Sequence, residues 1–388
     1  MQVLALCQST EDGGPLPQDL DERFRRLMGN AQEITSMEQL QEFAVSFDRL
    51  PRNTQAVLVS RRILNRIDPG INVFFLRLCI QRSIIFFGLG QYTHMFDVSI
   101  FVAELLDSLP LENLNNFRFL TFHSFVWMAL ALHSMSLIPL NDPERIALSI
   151  ENLLRAIRST SVLIYKHQLL RLEGRLTPDP IPPADVIISW GLTGSIFDMI
   201  RTTAIMSFYL FQLADEEANR LQVKQQLFQY NQFIKENPGV VSLLHLAVRG
   251  GWSPINKIQL LLETGADPNS VDVYGNTPLH LLAFYYRCED RRAVTKLLLD
   301  AGCHFDQVNW NGETALSLSK MPRPDVQAQP FSEIAPSLFC ICAQVIAKNS
   351  IPFEHEQIPT AVMSDVQLHV AECQFSCWFS DYFNVTLL

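Results

Sequence analysis

The chain has 388 residues, of which 48% are hydrophobic and 18% charged, and its formal net charge is −10 at pH 7. This balance predicts a globular chain of two or three domains, and the acidic charge without a Lys/Arg run argues against a nucleic-acid-binding protein. The first residues lack the basic-then-apolar layout of a secretory signal, and the eight scattered cysteines are typical of reduced thiols. We therefore expect a cytoplasmic protein, with the nucleus left open as a second compartment.

Residues 1–20 show little periodicity and are predicted to lack fixed structure. Residues 21–240 show helical periodicity without strand alternation, which predicts an irregular helical domain that is loosely similar to tetratricopeptide pairs. Gly and Pro residues separate the predicted helices. These helices cover Gln55–Ile67, Ile71–Leu89, His94–Leu109, Leu120–Leu137, Asp142–Tyr165, Ala184–Leu213 and Glu216–Lys235.

Two apolar runs, Phe119–Leu140 and Ile187–Leu213, require a decision between membrane insertion and burial. The first is long enough to span a bilayer. However, His123 and His133 interrupt it, and Asp198 and Arg201 break the second run. Helices that are apolar on all sides also form the cores of large proteins, so we expect burial in a helical bundle and no membrane contact.

Residues 241–320 contain a repeat. Leu-Leu-Leu-Glu-Thr-Gly265-Ala-Asp returns as Leu-Leu-Leu-Asp-Ala-Gly302-Cys-His after 37 residues (302 − 265), and Gly-Asn-Thr-Pro-Leu-His returns as Gly-Glu-Thr-Ala-Leu-Ser at the same interval. An earlier copy begins at Ser242. This self-similarity around a Thr-Pro-Leu-His core is the signature of ankyrin repeats, here two and a partial third.

Single positions fit this interpretation. Thr277 is predicted to cap a helix, Pro278 to occupy its first position, and the two glycines to end the second helices. His245 and His280 are either ligands or turn-supporting side chains, and the repeat context favours the turn. So short a stack has to be covered at both ends, because repeats bury their faces only against neighbours.

After a proline-rich linker, residues 337–346 are predicted to form a helix. Leu338, Cys342 and Ile346 are spaced by four residues in it and therefore share one face. The same spacing returns further along the chain in a second apolar set, Ile358, Val362 and Val366.

The order of these segments resembles the C-terminal part of the Fem-one (feminization) homologs, which are substrate receptors of cullin-2 ubiquitin ligases. The predicted helix is similar to their elongin-binding BC box, in a pattern formed by Ser337, Leu338, Cys342 and Ile346. The second segment is similar to their cullin-2 box, with Ile358, Pro359, Val362 and Val366. The resemblance places both boxes within residues 331–370, and it implies elongin C, elongin B and cullin-2 as partners, with an unknown protein substrate.

Two departures from the family pattern matter. Family members carry a long N-terminal ankyrin array that holds the degron pocket, and this sequence shows no trace of one. In the cullin-2 box, Asp365 stands where the family places an aromatic residue. The apolar tail, residues 371–388, extends past the usual end of the family pattern and has no assigned role.

Metal binding and catalysis find little support. The spacings of Cys340 with Cys342 and of Cys373 with Cys377 lack a paired His set, and the BC box accounts for Cys342. The sequence has no phosphate loop, nucleophile elbow or His–Glu pair at ligand spacing. We therefore expect no enzyme activity, no cofactor and no metal.

The sequence and the resemblance together predict an all-α adaptor, in which a helical domain and a short ankyrin stack precede elongin-binding and cullin-binding helices. Its expected function is that of a non-catalytic substrate receptor in a cullin-2 elongin B/C E3 ubiquitin ligase, which promotes ubiquitination and proteasomal degradation. The alternative is an ankyrin and helical interaction scaffold whose ligase-docking box has decayed.

Overall fold

A computed structural model of the chain describes residues 18–29, 31–39, 41, 48–67, 72–138, 148–175, 196–215, 217–250, 255–284, 291–320 and 345–346. All regular structure within these ranges is helical, apart from two isolated bridges, one between Gly239 and Asp272 and one between Val308 and Thr314. The predicted all-α fold class is confirmed.

The described residues contain fourteen α-helices and one short 3₁₀ helix, Asn115–Phe117. In chain order the α-helices are α1 (Gln18–Leu27), α2 (Arg49–Ile67), α3 (Val73–Gly88), α4 (Tyr92–Asp107), α5 (Leu111–Leu114), α6 (Arg118–Leu137), α7 (Ile150–Leu172), α8 (Ile196–Ala214), α9 (Glu217–Glu236), α10 (Leu243–Gly250), α11 (Ile255–Glu263), α12 (Pro278–Phe284), α13 (Arg291–Asp300) and α14 (Ala315–Ser319). The chain forms two compact units, Met1–Lys166 with Thr177–Met206 and His167–Leu176 with Ser207–Leu388.

Helix α4 forms the centre of the first unit. It packs against both α3 and α6, so side chains on more than one of its faces are buried. Phe96 and Phe101 are among the largest fully buried side chains of the described chain. Phe24 of α1 closes one side of this core, with ring centroids 5.8 Å from Phe75 and 5.9 Å from Phe101. The apolar side chains on more than one face of α4 are therefore explained by burial.

Two charged side chains of this unit, Glu104 and Arg82, make hydrogen bonds that link its helices. The carboxylate of Glu104 on α4 accepts hydrogen bonds from Arg23 of α1 at 2.7 Å and from Arg155 of α7 at 2.8 Å. Arg82 of α3 is buried and donates to the Thr54 hydroxyl at 2.6 Å and to the Leu27 carbonyl at 2.9 Å. These bonds link α1 and α7 to α4, and α1 and α2 to α3. They provide hydrogen-bond partners for polar groups whose burial would otherwise destabilise the fold.

Three predicted helix boundaries differ from the described helices by more than two residues. Helix α2 begins at Arg49 rather than Gln55, because the Asp48 carboxylate accepts the Leu50 N–H at 3.0 Å and Pro51 is tolerated in a first turn. Helix α7 begins at Ile150, where the Ser149 hydroxyl accepts the Asn152 N–H at 3.0 Å, and the predicted start at Asp142 lies outside the described residues. It also continues past Tyr165 to Leu172.

One stretch of the described chain, Leu111–Leu137, is long and apolar enough to cross a membrane by length and composition, and 61% of its apolar window is buried. Core helices of soluble proteins pass the same test. The burial predicted for the run from Phe119 holds for most side chains of α6, including Phe122, Phe125 and Leu132. The absence of membrane contact stays a prediction.

The second unit contains the repeats. Helices α10, α12 and α14 contact one another in sequence, as do α11 and α13, which gives the two helical layers of an ankyrin stack. Gly265 and Gly302 follow α11 and α13 with φ of +87° and +90°, so the predicted left-handed helix ends are confirmed. The repeat pattern predicts a loop over Arg249–Lys257 between the paired helices. The structure has helix at both ends of this segment, because α10 runs to Gly250 and α11 begins at Ile255.

Candidate protein-interaction region

Each of the two ankyrin turns is closed by a histidine. His280 Nδ1 lies 2.7 Å from the Thr277 hydroxyl and accepts the Thr277 N–H at 3.2 Å. His245 repeats both contacts with Ser242, at 2.7 Å and 3.3 Å. These bonds confirm the turn-supporting role predicted for the two histidines.

The other nitrogen of each ring reaches the next repeat. His245 Nε2 lies 3.0 Å from the Asn276 carbonyl, and His280 Nε2 lies 3.0 Å from the Glu313 carbonyl. A carbonyl oxygen only accepts, so Nε2 carries the proton and Nδ1 is the acceptor. Each ring is therefore a neutral clasp between neighbouring repeats.

Burial keeps these rings neutral. It lowers the pKa of both His245 and His280 to about 4, and hydrogen bonds to backbone carbonyls oppose the shift. A proton added at Nδ1 would convert this acceptor into a donor, which would then face the backbone N–H that now donates to it. No group of three potential metal-ligating side chains occurs among the residues that the structure describes. The two neutral histidines thus hold neighbouring repeats together through hydrogen bonds to backbone groups.

A carboxylate or amide organises the loop before the turns that begin at Thr277 and Thr314. The Asp272 carboxylate accepts the N–H groups of Tyr274 and Asn276, both at 2.9 Å. Burial raises the pKa of Asp272 to about 6, although hydrogen bonds from Asn276 and Tyr274 act in the opposite direction. The charge of Asp272 is therefore held by backbone donors inside the protein.

Asn309 occupies the equivalent position one repeat later. Its Oδ1 accepts the N–H groups of Asn311 at 3.0 Å and of Glu313 at 2.9 Å. Its Nδ2 donates to Asn276 Oδ1 at 3.0 Å, which joins the two loops directly. Together with the histidine clasps, these bonds form a polar ladder through the interior of the stack, defined by His245, Asp272, Asn276, His280 and Asn309.

Trp310 covers the turn of the preceding repeat. Its Nε1 donates to the Val273 carbonyl at 3.1 Å, and its backbone N–H donates to the Tyr274 carbonyl at 3.1 Å. Gly275 has φ of +76°, and a Cβ at this position would lie 2.7 Å from the Trp310 ring. The close approach therefore requires glycine both for its backbone and for its missing side chain.

Helix α9 and the end of α8, from Ser207, belong to the same unit as the stack. Asn231 of α9 donates to the Thr264 carbonyl at 3.0 Å. The buried amine of Lys257 donates to the Phe211 carbonyl in the last turn of α8 at 3.0 Å, and also to the Asp215 carboxylate. A cation at a helix C-terminus interacts favourably with the unpaired carbonyls there. The stack is therefore covered on its N-terminal side by α8 and α9.

The predicted docking residues lie almost entirely outside the described residues. This holds for Ser337, Leu338 and Cys342 of the BC box and for the whole cullin-2 box, Ile358, Pro359, Val362 and Val366. Ile346 is described and helical, as is Val345, which is 48% exposed. The site assignments therefore stay predictions, as do the domain boundaries.

The predictions from sequence missed the amide and carboxylate members of the ladder. Asp272 and Asn309 stand at equivalent positions 37 residues apart, which is the interval already recognised for the glycines. Aligning the loops as well as the helices would have found them. Lys257 left no such signal, because its acceptors lie more than forty residues earlier in the chain.

Comparison with known proteins agrees with this geometry. The family pattern for ankyrin repeats, three copies, matches residues 211–309, which begins within the predicted helical domain. The fem-1 homolog CG6966 of Drosophila melanogaster is 36% identical over 109 residues, covering 28% of this chain and 16% of the relative. Fem-1 homolog A of Homo sapiens is 33% identical over 123 residues, covering 31% and 17%. Fem-1 homolog C of Xenopus laevis is 32% identical over 158 residues, covering 38% and 24%.

The chain thus matches less than a quarter of the length of each of these relatives. Ankyrin repeats are typical of protein-interaction scaffolds. The resemblance predicted from the sequence is confirmed over these segments: part of this chain is similar to the fem-1 homologs, and its ankyrin repeats indicate a protein-interaction scaffold.

Proposed function

We propose that the chain is a substrate-receptor subunit of a cullin-2 elongin B/C ubiquitin ligase. The observation that carries this proposal is the BC-box pattern Ser337, Leu338, Cys342 and Ile346, placed after an ankyrin stack in a chain of which part is similar to the fem-1 homologs. In this role the chain binds other proteins and performs no chemistry itself. The proposed location is the cytoplasm, without membrane contact. It brings a bound protein close to the ubiquitin-transfer machinery.

The described part of the chain is suited to such a role. A receptor works by holding two partners at a fixed separation, so it gains from elements that do not deform. The polar ladder fixes each repeat to the next through hydrogen bonds of 3.0 Å at His245, His280 and Asn309. Lys257 fixes α11 to the end of α8. These bonds support a rigid platform that precedes the proposed boxes in the sequence.

The proposed contact with elongin C is an apolar helix face. Leu338, Cys342 and Ile346 follow at intervals of four residues, and a partner pocket takes such anchors as the main source of binding energy. A charge introduced at an anchor would be buried without a partner, at a cost of several kcal/mol. Elongin B would be recruited together with elongin C.

Co-purification with elongins B and C tests this proposal. Leu338→Arg and Cys342→Asp are each expected to abolish elongin C binding, while circular dichroism of the chain stays helical. Gln344→Arg serves as the matched control, because a residue two positions after Cys342 lies on the opposite side of a helix. Elongin binding that survives both anchor substitutions would contradict the ligase role and favour a plain ankyrin and helical scaffold.

We further propose that the cullin-2 box is the weaker half of the docking site. Asp365 replaces the family aromatic, and a buried aromatic side chain removes about 150–250 Å² from water. A carboxylate at that point contributes no such contact and requires a cation or solvent. Asp365→Phe is expected to strengthen cullin-2 recruitment without changing elongin binding. A cullin-2 titration that gives equal affinities for both complexes would place Asp365 outside the interface.

A further inference from the structure

Aromatic side chains meet on one side of the first unit, where α3, α4 and α6 come together. Phe87, in the last turn of α3, is at the centre of this group. Its ring centroid lies 6.2 Å from that of Trp127 on α6 and 6.1 Å from that of Tyr92 at the start of α4. The planes of these two rings are inclined to the Phe87 ring by 54° and 56°. Rings inclined in this way form grooves rather than a flat stack.

Helix α6 continues the line of rings. Phe119, His123 and Trp127 follow one another at intervals of four residues and therefore share one face of the helix. The His123 ring centroid lies 3.9 Å from that of Phe119. Side chains four residues apart are neighbours on a helix surface, so His123 lies between Phe119 and Trp127. We define the aromatic row as Tyr92, Phe87, Trp127, His123 and Phe119.

The aromatic row lies at the protein surface. Phe87 is 37% exposed and Phe119 is 39% exposed, and the other three members are partly exposed. The turn between Phe87 and Tyr92 leaves open space, because a Cβ at Gly88 or at Gly90 would meet no atom within 4 Å. Contiguous apolar side chains at a surface are characteristic of binding sites.

The surroundings of the row carry little charge. Helix α6 has no charged residue after Arg118, and the charged residue of α3 nearest in sequence to Phe87 is the buried Arg82. His123 Nδ1 lies 2.7 Å from the Phe119 carbonyl, which only accepts, so Nδ1 carries the proton. Burial lowers the pKa of His123, which keeps its ring neutral. The row therefore selects a ligand by shape and by hydrogen bonds rather than by charge.

Two members of the row offer hydrogen-bond donors. Trp127 Nε1 is buried and has no acceptor in the part of the chain that the structure describes. Such a donor costs free energy until an acceptor reaches it. Tyr92 contributes a hydroxyl group, which also donates. The row thus has donors for a ligand that presents acceptors.

Proline-rich segments present such acceptors. In the polyproline II conformation a chain makes no internal hydrogen bonds, so its carbonyl groups stay available, and each proline lacks an N–H. The carbonyl groups of an α-helix are instead used inside the helix. The donors of the row therefore match an extended proline-rich chain better than a helix.

We propose that the aromatic row docks a proline-rich segment of a partner protein in the polyproline II conformation. Proline rings of the segment pack against Phe87, Trp127 and Phe119, as in other aromatic-lined grooves that bind such segments. The Tyr92 hydroxyl donates to one peptide carbonyl. Trp127 Nε1 donates to another, and its ring turns toward the peptide to do so, since no hydrogen bond to the described residues holds it.

The size of the row sets the length of the segment. Helix α6 rises about 12 Å between Phe119 and Trp127, and the two further rings extend the row to at most about 24 Å. A polyproline II chain rises 3.1 Å per residue, so the row accommodates about eight residues. A membrane surface fits less well, because no member of the row is more than 39% exposed and the rings therefore do not project. No residue of the row belongs to the proposed BC box or cullin-2 box, so the inference does not depend on the ligase role.

The probe for this proposal is a fluorescein-labelled peptide of Pro and Ala with Pro at two of every three positions, titrated against the full chain by anisotropy. The expected dissociation constant is on the order of tens of micromolar. Added salt should leave the affinity unchanged, because no ion pair forms. A peptide with Gly in place of each Pro should bind at least about tenfold more weakly, since it does not hold the polyproline II conformation.

Three substitutions locate the binding site. Phe87→Ala should weaken binding about tenfold or more. Trp127→Phe and Tyr92→Phe keep an aromatic ring but remove a donor, and each should weaken binding about three- to tenfold. Phe74→Ala and Phe228→Ala are matched controls, since both rings are exposed, one at the far end of α3 and one on α9 of the other unit. The controls are expected to leave the affinity unchanged.

Circular dichroism and thermal melting verify the fold of each variant, and the two conservative variants keep the test valid if Phe87→Ala unfolds. The proposal is overturned if the proline peptide does not bind, if the Gly peptide binds equally well, or if Trp127→Phe and Tyr92→Phe both leave the affinity unchanged. It is also overturned if phosphatidylcholine vesicles, or a second copy of the chain in sedimentation, bind through Phe87 and the peptide does not. Elongin co-purification of Trp127→Phe is expected to match the unaltered chain, so a failure here is distinguishable from a failure of the ligase role.

Discussion

Around α4 of the first unit the buried side chains are mostly Phe, Leu, Ile and Val, whereas around the ankyrin turns they include His245, Asp272, Asn276, His280 and Asn309. The apolar core gains its free energy from area removed from water, which depends weakly on direction. The polar ladder gains little net free energy from each bond, but it loses much if one partner is removed. The first unit is therefore stabilised mainly by the burial of apolar side chains. The turns of the second unit depend on hydrogen bonds between particular buried groups.

This difference explains which region is recognisable in the sequence. An apolar core accepts exchange among Leu, Ile, Met and Phe as long as its volume is kept. A ladder position accepts only a side chain with the same donors and acceptors at the same place. Thr277, Pro278 and His280 therefore form a pattern that can be read from sequence, whereas α1 to α7 show only helical periodicity.

The largest expected effect is in the apolar core. Phe101→Ala removes a fully buried ring that lies 5.9 Å from Phe24, and it should lower the free energy of unfolding by about 3–5 kcal/mol. Urea unfolding followed by far-ultraviolet circular dichroism measures this loss. Phe74→Ala is the control, since Phe74 is 58% exposed, and its expected change is within about 0.5 kcal/mol. Similar losses for the two variants would mean that volume does not decide the stability of this unit.

The polar ladder should be nearly as sensitive to a substitution that preserves volume. His280→Leu leaves the Glu313 carbonyl and the Thr277 N–H without their buried partner, at a cost of about 2–4 kcal/mol. Urea unfolding, combined with hydrogen exchange in the repeats, measures the loss. His133→Leu on the surface of α6 is the matched control and should change stability by less than about 0.5 kcal/mol. A His280→Leu protein of undiminished stability would show that the ladder does not hold the stack.

Acid is expected to lower the stability of the ankyrin stack. The folded pKa of His245 and His280 is about 4, below the unfolded value of about 6.5, so their contribution is complete above pH 6.5 and is lost as the pH falls to 4. Asp272 acts in the opposite direction, because its folded pKa of about 6 exceeds the unfolded value of about 3.9 and the folded state gains stability in acid. The stability lost through the two histidines exceeds the stability gained through the one carboxyl group, so the stack should lose stability between pH 6.5 and 4.

Asp272→Asn tests this balance. Asparagine already occupies the equivalent position, as Asn309, and it keeps the oxygen that accepts the Tyr274 and Asn276 N–H groups. Removing the compensating carboxyl group should deepen the acid loss by about 1–3 kcal/mol. His280→Leu should instead flatten the pH profile, since one histidine and one carboxyl group then nearly cancel. The measurement is the urea midpoint of the repeats at several pH values, and parallel profiles for the three proteins would contradict the assignment.

Much of the ankyrin stack could be predicted because the backbone itself restricts the residue. Gly265 and Gly302 have positive φ, and no other common residue adopts that conformation without strain. The start of α7 could not be predicted in this way, because both the Asp142–Pro143 segment and Ser149 offer helix starts. Contacts of Asn152 and Arg155 with Asp97 and Glu104 accompany the later start, and these partners lie more than fifty residues away.

The candidate docking site shows the opposite situation. Leu338, Cys342 and Ile346 form a clear local pattern, but whether a helix face meets a partner depends on that partner. The role of the face therefore stays a prediction from the resemblance. Lys257 illustrates the same dependence within the chain, since it was placed in a loop and is instead buried against the end of α8.

The smallest expected effect is a difference between two glycines of the repeats. Gly275 and Gly302 have φ of +76° and +90°, so alanine at either position costs about 1 kcal/mol in backbone strain. Nothing lies within 4 Å of a Cβ at Gly302, whereas a Cβ at Gly275 would lie 2.7 Å from the Trp310 ring and 2.9 Å from the Trp310 backbone nitrogen. The backbone nitrogen cannot move aside without breaking its bond to the Tyr274 carbonyl. Gly275→Ala should therefore cost about 1–2 kcal/mol more than Gly302→Ala in urea unfolding. Equal costs for the two variants would show that the turn tolerates displacement of Trp310. The position of Trp310 would then be less strictly fixed than the positions of the residues in the polar ladder.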